Sequence, residues 1–378
     1  MNKFDFAEIR RRFQPDKNSI SCIRGCYVNE KREIVSTFNR PLMSLPQEES
    51  EKYLAIFRRV LSGLPGKNLV EMVFRPDQVM ESVEHGLLTS LRNTALKVDE
   101  GVQSLCQRII DSLDLEGNYL ILLTYDAYDV PRMAHDSVQD EDASENIFDY
   151  ILCAICPVKL TKPALSYFAE DNNFHEREQN WIVATPELGF MFPAFEDRAA
   201  NIYSAVYFSR DTETKRDGLI AALFNTESPM PAGEQKKVFQ SILEDSIGED
   251  LHYDVLQTIH AQLCDRLEEH KAERASEPLC ISRREVSAIL SDCDVPKDRM
   301  EAFETQYDQE FGFGTNLNVQ NIVNERKFEL RTPEVVINVA PGCSDLVETR
   351  VIDGFRYILI RAEEGVEVNG MNIRIPER

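Results

Sequence analysis

The stretch YILCAICPVKL, residues 150–160, decides the fold. In a strand successive side chains alternate between faces. Ile151, Cys153 and Ile155 then lie on one face, and Leu152, Ala154 and Cys156 on the other. Both sets are apolar, so the strand has to be covered on both sides and belongs in the middle of a sheet. The two sulfurs, three residues apart, point to opposite faces and cannot share one ion, and a free cysteine there behaves as a small hydrophobe. The alternative joins this pair to Cys22 and Cys26, with Gly25 allowing a tight turn, as a four-thiolate zinc site. A redox pair would need a helix N-terminus, which the apolar run before Cys153 argues against. The core reading is preferred, with no metal and no cofactor expected.

Working outward, NYLILLTYDAY (118–128), NWIVATPELGFMFPAF (180–195) and NIYSAVYFS (201–209) supply further strands separated by polar loops. That is enough for a mostly antiparallel sheet. Upstream, residues 4–13 form an amphipathic helix that docks through Phe4, Ile9 and Phe13. ISCIRGCYV and EIVSTF are two strands around the turn NEKR. Ser44 caps a helix that begins near Pro46, carries Tyr53, Leu54, Phe57, Val60 and Leu61 at helical spacing, and stops at Gly63. Residues 79–96 and 102–113 are also helical. GLPGKN (63–68) is not a phosphate loop, because Leu61 and Asn68 stand where glycine and Ser/Thr are required. DSVQDEDASEN (136–146) is read as a mobile acidic surface loop. Its Asp136, Asp140, Asp142 and Glu145 lack the alternation, central glycine and terminal glutamate of a calcium loop.

Downstream, residues 232–247 and 251–270 return to helical periodicity. In ISRREVSAIL (281–290), Ser282 and Glu285 have capping-box spacing, and Ile281 and Val286 form the staple around it. A second helix runs from Lys297 to Phe311. Its 297–310 segment sums to −3, which rules against reading DNA with it. The chain ends in β-branched, alternating segments, with Asp353-Gly354 and Asn369-Gly370 suited to two-residue hairpin turns. The fold class is α+β: a mostly antiparallel sheet flanked by helices, then a helical segment and a C-terminal β-meander. The expected domains are 1–235 and 236–378.

Composition bounds the function. Of 378 residues 43% are hydrophobic and 28% charged, ordinary for a globular chain. No apolar run approaches a bilayer span and no secretory signal opens the chain, so no membrane partner is expected. Nine scattered cysteines, an odd number, fit reduced thiols in a cytoplasm. The net charge of −23 repels polyanions. Residues 1–40 are the exception, with nine Lys/Arg against five acids. A nucleic-acid partner would have to meet that patch, and Arg10, Arg11 and Arg12 fan out around a helix so that not all can face the core.

Two other constellations bear chemistry. Asp126 and Asp129 leave a strand, and Asp197-Arg198 follows GFMFPAFE. Together they are weak candidates for a metal-binding or acid–base set, or else turn residues. Phe190, Phe192 and Phe195, with Pro186 and Pro193, form either a core lid or a contact for a protein partner. The six histidines fall at no metal-ligand spacing, and no nucleophile elbow, HExxH or dinucleotide fingerprint occurs.

GNYLILLTYDAYDVP, CAICPV, GFMFPAFEDR and VETRVIDGFRYILI with GVEVNG together resemble a bacterial family known only as a domain of unknown function. That similarity covers nearly the whole chain and implies no activity. From about residue 85 onward the order of parts also resembles bacterial nucleoid-associated proteins of the YejK/NdpA type. VQSLCQRIIDSLDLEGNYLILLTY, REVSAIL and NIVNERKFEL carry this second likeness, and a central insert at about 130–215 departs from it. The expected function is a non-enzymatic cytoplasmic binding protein, associated with nucleoid or nucleic acid. The alternatives are a metal-dependent hydrolase using the clustered carboxylates and a protein–protein interaction module using residues 186–195.

Overall fold

In the computed structural model, residues 1–133, 139–325, 327–340, 342–362 and 365–373 are described. The chain divides into two compact units, Met1–Pro231 and Ala232–Arg378. The first opens with α1 (Lys3–Arg12), β1 (Cys22–Val28), β2 (Ile34–Pro41), α2 (Gln47–Val60) and β3 (Leu69–Val73). Three helices follow, α3 (Pro76–Glu81), α4 (Val83–Asn93) and α5 (Asp99–Ser112), then the long strands β4 (Asn118–Met133) and β5 (Gln139–Leu160). Next come β6 (Ala164–Phe168), β7 (Asn173–Arg177), β8 (Trp181–Val183), β9 (Leu188–Phe192), β10 (Ala194–Glu196) and β11 (Ala199–Asn201). β12 (Ser204–Ser209) and α6 (Asp217–Phe224) complete the unit.

The sheet runs β2-β1-β4-β5-β9-β12-β3, with β8 also paired to β5, and every one of these pairings is antiparallel. β5 is internal: Cys153 lies opposite Leu123 of β4 on one side and Phe190 of β9 on the other. Its two faces serve two cores, as the alternation requires. Ile151, Cys153 and Ile155 pack with Leu88, Leu105 and Leu219 from α4, α5 and α6. Leu152, Ala154 and Cys156 pack with Ile9 of α1 and Leu54 and Phe57 of α2. α5 shows why it lies on the sheet: Val102, Leu105, Cys106, Ile109 and Ile110 make one buried stripe at helical spacing.

Some expectations shift. Phe6, not Phe4, joins Ile9 and Phe13 in docking α1, while Phe4 stays exposed. Ser44 does not cap α2; Pro46 occupies that place, and the Ser44 hydroxyl donates to the Pro41 carbonyl. Of the acidic segment, residues 139–146 extend β5 and pair with β4 instead of looping, while residues 134–138, Asp136 included, lie outside the described residues.

The second unit contains α7 (Ala232–Ile247), α8 (Tyr253–Ala272), β13 (Cys280–Ile281), α9 (Arg283–Asp292), α10 (Lys297–Phe311), β14 (Leu317–Asn318) and α11 (Val319–Ile322). The Ser282–Glu285 capping box is formed, and the flanking Ile281 and Val286 are both buried. The terminal strands pair as three hairpins: β15 (Phe328–Arg331) with β16 (Val336–Val339), β17 (Val347–Ile352) with β18 (Phe355–Ile360), and β19 (Val366–Val368) with β20 (Met371–Ile373). Asp353-Gly354 and Asn369-Gly370 all take positive φ, as two-residue turns of this kind require.

Candidate anion-binding surface

Helix α1 is started by a capping box, in which the Asn2 side chain accepts from the backbone N–H groups of Phe4 and Asp5 while the Asp5 carboxylate accepts from Asn2 N. With Phe6 and Ile9 inward, the three arginines of its last turn take different directions. Arg12 turns into the protein. Its Nε donates to Asp126 Oδ2 at 3.1 Å and its Nη2 to Oδ1 at 3.2 Å. Asp126 is fully buried and also accepts from Ser19 N at 2.7 Å and from the Tyr150 hydroxyl at 3.0 Å. Burial first, then the charge of Asp126 and this hydrogen bond, hold the Tyr150 phenol well above its ordinary pKa. The Arg12 guanidinium lies 4.9 Å from the Tyr128 ring centroid, and the Tyr128 hydroxyl donates to Glu8 at 2.7 Å. Glu8 in turn pairs with Arg198, which donates to the Pro131 carbonyl at 2.7 Å.

Asp126 and Arg198 therefore share one hydrogen-bonded network, but the carboxylates do not gather. Asp129 is three residues from Asp126 on the same strand, so it faces the other way, and it is exposed. Asp197 is exposed in the β10–β11 turn with a φ of 48°. Asp126 already accepts four hydrogen bonds and is ion-paired with Arg12.

Arg10 and Arg11 behave differently from Arg12. Arg11 is exposed and Arg10 half-buried. The pKa of Arg10 is lowered by burial and then by the positive charges of Arg11 and Arg58, which brings the last turn of α2 into the same patch. Arg58 is exposed, and so is its neighbour Arg59. Among the described residues no carboxylate forms an ion pair with Arg10, Arg11 or Arg58. Among the described residues this is a cationic patch without an ion-paired carboxylate, in a chain of net charge −23.

The comparison with known families adds one result: the model of a domain of unknown function, DUF4317, matches residues 1–371. The chain belongs to the DUF4317 family. The looser likeness to YejK/NdpA-type proteins is not supported, and the search of curated proteins gives no match.

The remaining candidates of this DUF4317 chain are core. Phe190, Phe192 and Phe195 are 1%, 0% and 0% exposed, so the aromatic segment offers no surface to a partner. Phe192 meets Phe74 edge-on at 5.9 Å, and Phe195 lies 4.8 Å from Phe148. Phe190 and Phe192, on β9, enter one core, and Phe195, on β10, enters the other. Cys153 joins Cys26 and Cys106 in one core, while Cys156 sits in the other, so a shared four-thiolate site is not formed. Burial pushes both thiols up, Cys156 to about 12. All nine cysteines are free. Among the described residues no three metal-ligating side chains come together, and no helix is long and apolar enough to cross a membrane. The residues that sequence reasoning missed are Arg58, which replaces Arg12 in the patch, and Glu8, which ties Tyr128 to Arg198. Arg58-Arg59 in the last turn of an amphipathic helix was the available signal.

Proposed function

We propose that this DUF4317 member is a non-enzymatic, cytoplasmic bacterial binding protein that engages a phosphate-bearing polyanion, nucleic acid in the first instance. The observation that carries this reading is the convergence of Arg10, Arg11 and Arg58 without an acidic partner among the described residues. Arginine suits phosphate because its charge is permanent and its donors are arranged as a planar fork. The nine free cysteines support a reducing compartment.

The rest of the chain opposes long-range attraction, so binding has to be local and weak. Each phosphate contact on duplex DNA contributes about −0.9 to the slope of log affinity against log salt. Three arginines give a slope of roughly −2 to −3 between about 50 and 200 mM salt, measured by fluorescence anisotropy with duplex DNA and with single-stranded RNA. Replacing Arg10, Arg11 and Arg58 together by Ala flattens that slope and leaves the melting temperature near that of the wild type. Absence of binding to either nucleic acid at about 50 mM salt overturns the reading.

A further inference from the structure

Within the second unit a cavity of about 610 Å³ opens between α7, α8, α11, β15 and β18. Its size falls inside the range of roughly 300–1,000 Å³ typical of small-molecule sites. One part of its wall is apolar: Phe239 and Leu243 from α7, Ile259 and Leu263 from α8, and Ile322 from α11. Leu256 and Ile358 also line it, yet they remain 40% and 36% exposed. They contribute hydrocarbon surface that the chain itself leaves wet. Phe328 is held in the wall between Tyr253 and His260, with ring centroids 5.9 and 5.0 Å away.

The charged lining is one-sided. Lys236, Lys327 and Arg331 face a single carboxylate, Glu329. Lys327 pairs with Glu329, and Arg331 donates to it at 3.2 Å. The hydrogen bond from Lys327, then the positive charges of Lys327, Arg331 and Lys236, hold Glu329 below the usual carboxylate range. Three cations against one acid leave a net positive charge beside an apolar chamber, in a molecule that is otherwise strongly negative.

We propose that this cavity binds a single-chain amphiphile with an anionic head group, the hydrocarbon tail lying against Leu256, Ile358 and the buried wall and the head meeting Lys236, Lys327 and Arg331. The tail removes exposed leucine and isoleucine surface from water. The head neutralises the charge that Glu329 leaves unbalanced. The site is separate from the arginine patch of the first unit.

Calorimetric titration of the full chain with dodecanoate, kept below its micellar concentration, tests this directly. The expected result is saturable binding at one site per chain that weakens with salt. Dodecyltrimethylammonium, with the same tail and the opposite head charge, binds at least roughly tenfold more weakly. Monododecyl phosphate against dodecanoate then tells a phosphate head from a carboxylate head. Lys236→Glu combined with Arg331→Glu lowers dodecanoate affinity by roughly tenfold or more. Leu256→Asp, at an already exposed position, does so without disturbing the fold. Failure of both anionic amphiphiles to saturate overturns the proposal. So does equal binding of the cationic analogue, or unchanged affinity in both variants.

Discussion

Asp126 is a charge with no access to water, and its surroundings explain why it is tolerated. Removing an ion from water costs several kcal/mol even after relaxation, so a buried carboxylate persists only when its lone pairs and its charge are answered. Here both oxygens accept two bonds each, from Arg12, Ser19 N and Tyr150, and Arg12 supplies the opposite charge. Asp126→Asn removes that charge, brings amide hydrogens up against existing donors and strands a guanidinium that is only 16% exposed. The expected loss is about 3 kcal/mol in urea unfolding. Arg11→Ala, on the exposed side of the same helix turn, changes stability by no more than about 0.5 kcal/mol. Indistinguishable urea midpoints for the two variants would show that the network stabilises nothing. The sequence made clear that three consecutive arginines could not all face one way. It could not say that Arg12 is the one turned inward, because its partner lies 114 residues along the chain.

At the scale of elements, the approach of α2 to the centre of the sheet depends on a missing side chain. A Cβ on Gly189 of β9 would stand 2.5 Å from the Cys153 carbonyl oxygen and 2.7 Å from Val60 Cγ1. The first is backbone of the central strand and cannot move without disturbing the ladders on both its sides. A Cβ on Gly25 of β1 would meet the Phe38 ring at 2.0 Å, a shorter distance but to the tip of a partly exposed side chain that can swing away. Gly189→Ala is therefore expected to cost roughly 2–3 kcal/mol and Gly25→Ala clearly less, a ranking that paired thermal melts decide. Equal losses, or the reverse order, would mean that β9 and α2 have room to separate. Strands that bury both faces were legible because their apolar runs are unbroken, as at 150–158. β3 was not, since Glu71 and Val73 interrupt its buried positions and only its pairing with β12 makes it a strand. The β6–β7 hairpin was missed for a related reason: nearly all of its residues are exposed, so no burial pattern marks it.

On the scale of the whole molecule, the chain's apolar clusters respect the division at residue 231. The two cores that sandwich the sheet draw only on residues of Met1–Pro231, and the helical core around Leu290 and Phe303 only on Ala232–Arg378. The periodicities that signal each core were readable along the chain, since each helix or strand declares its own buried face. What sequence could not supply was the assignment of faces to partners, for instance that Cys153 meets α5 while Cys156 meets α2. Separate cores predict separable unfolding, because a cavity weakens the cooperative unit that contains it. Leu152 and Leu290 are both fully buried, one in each unit. Truncating either to Ala leaves a cavity and costs about 3 kcal/mol. At roughly 2–4 °C per kcal/mol for units of this size, the affected transition falls by about 6–12 °C. Calorimetry of the full chain is expected to show two transitions, with Leu152→Ala lowering one and Leu290→Ala the other. A single transition that both substitutions lower equally would make the 378 residues one cooperative block, and the two cores would then be parts of one folding unit.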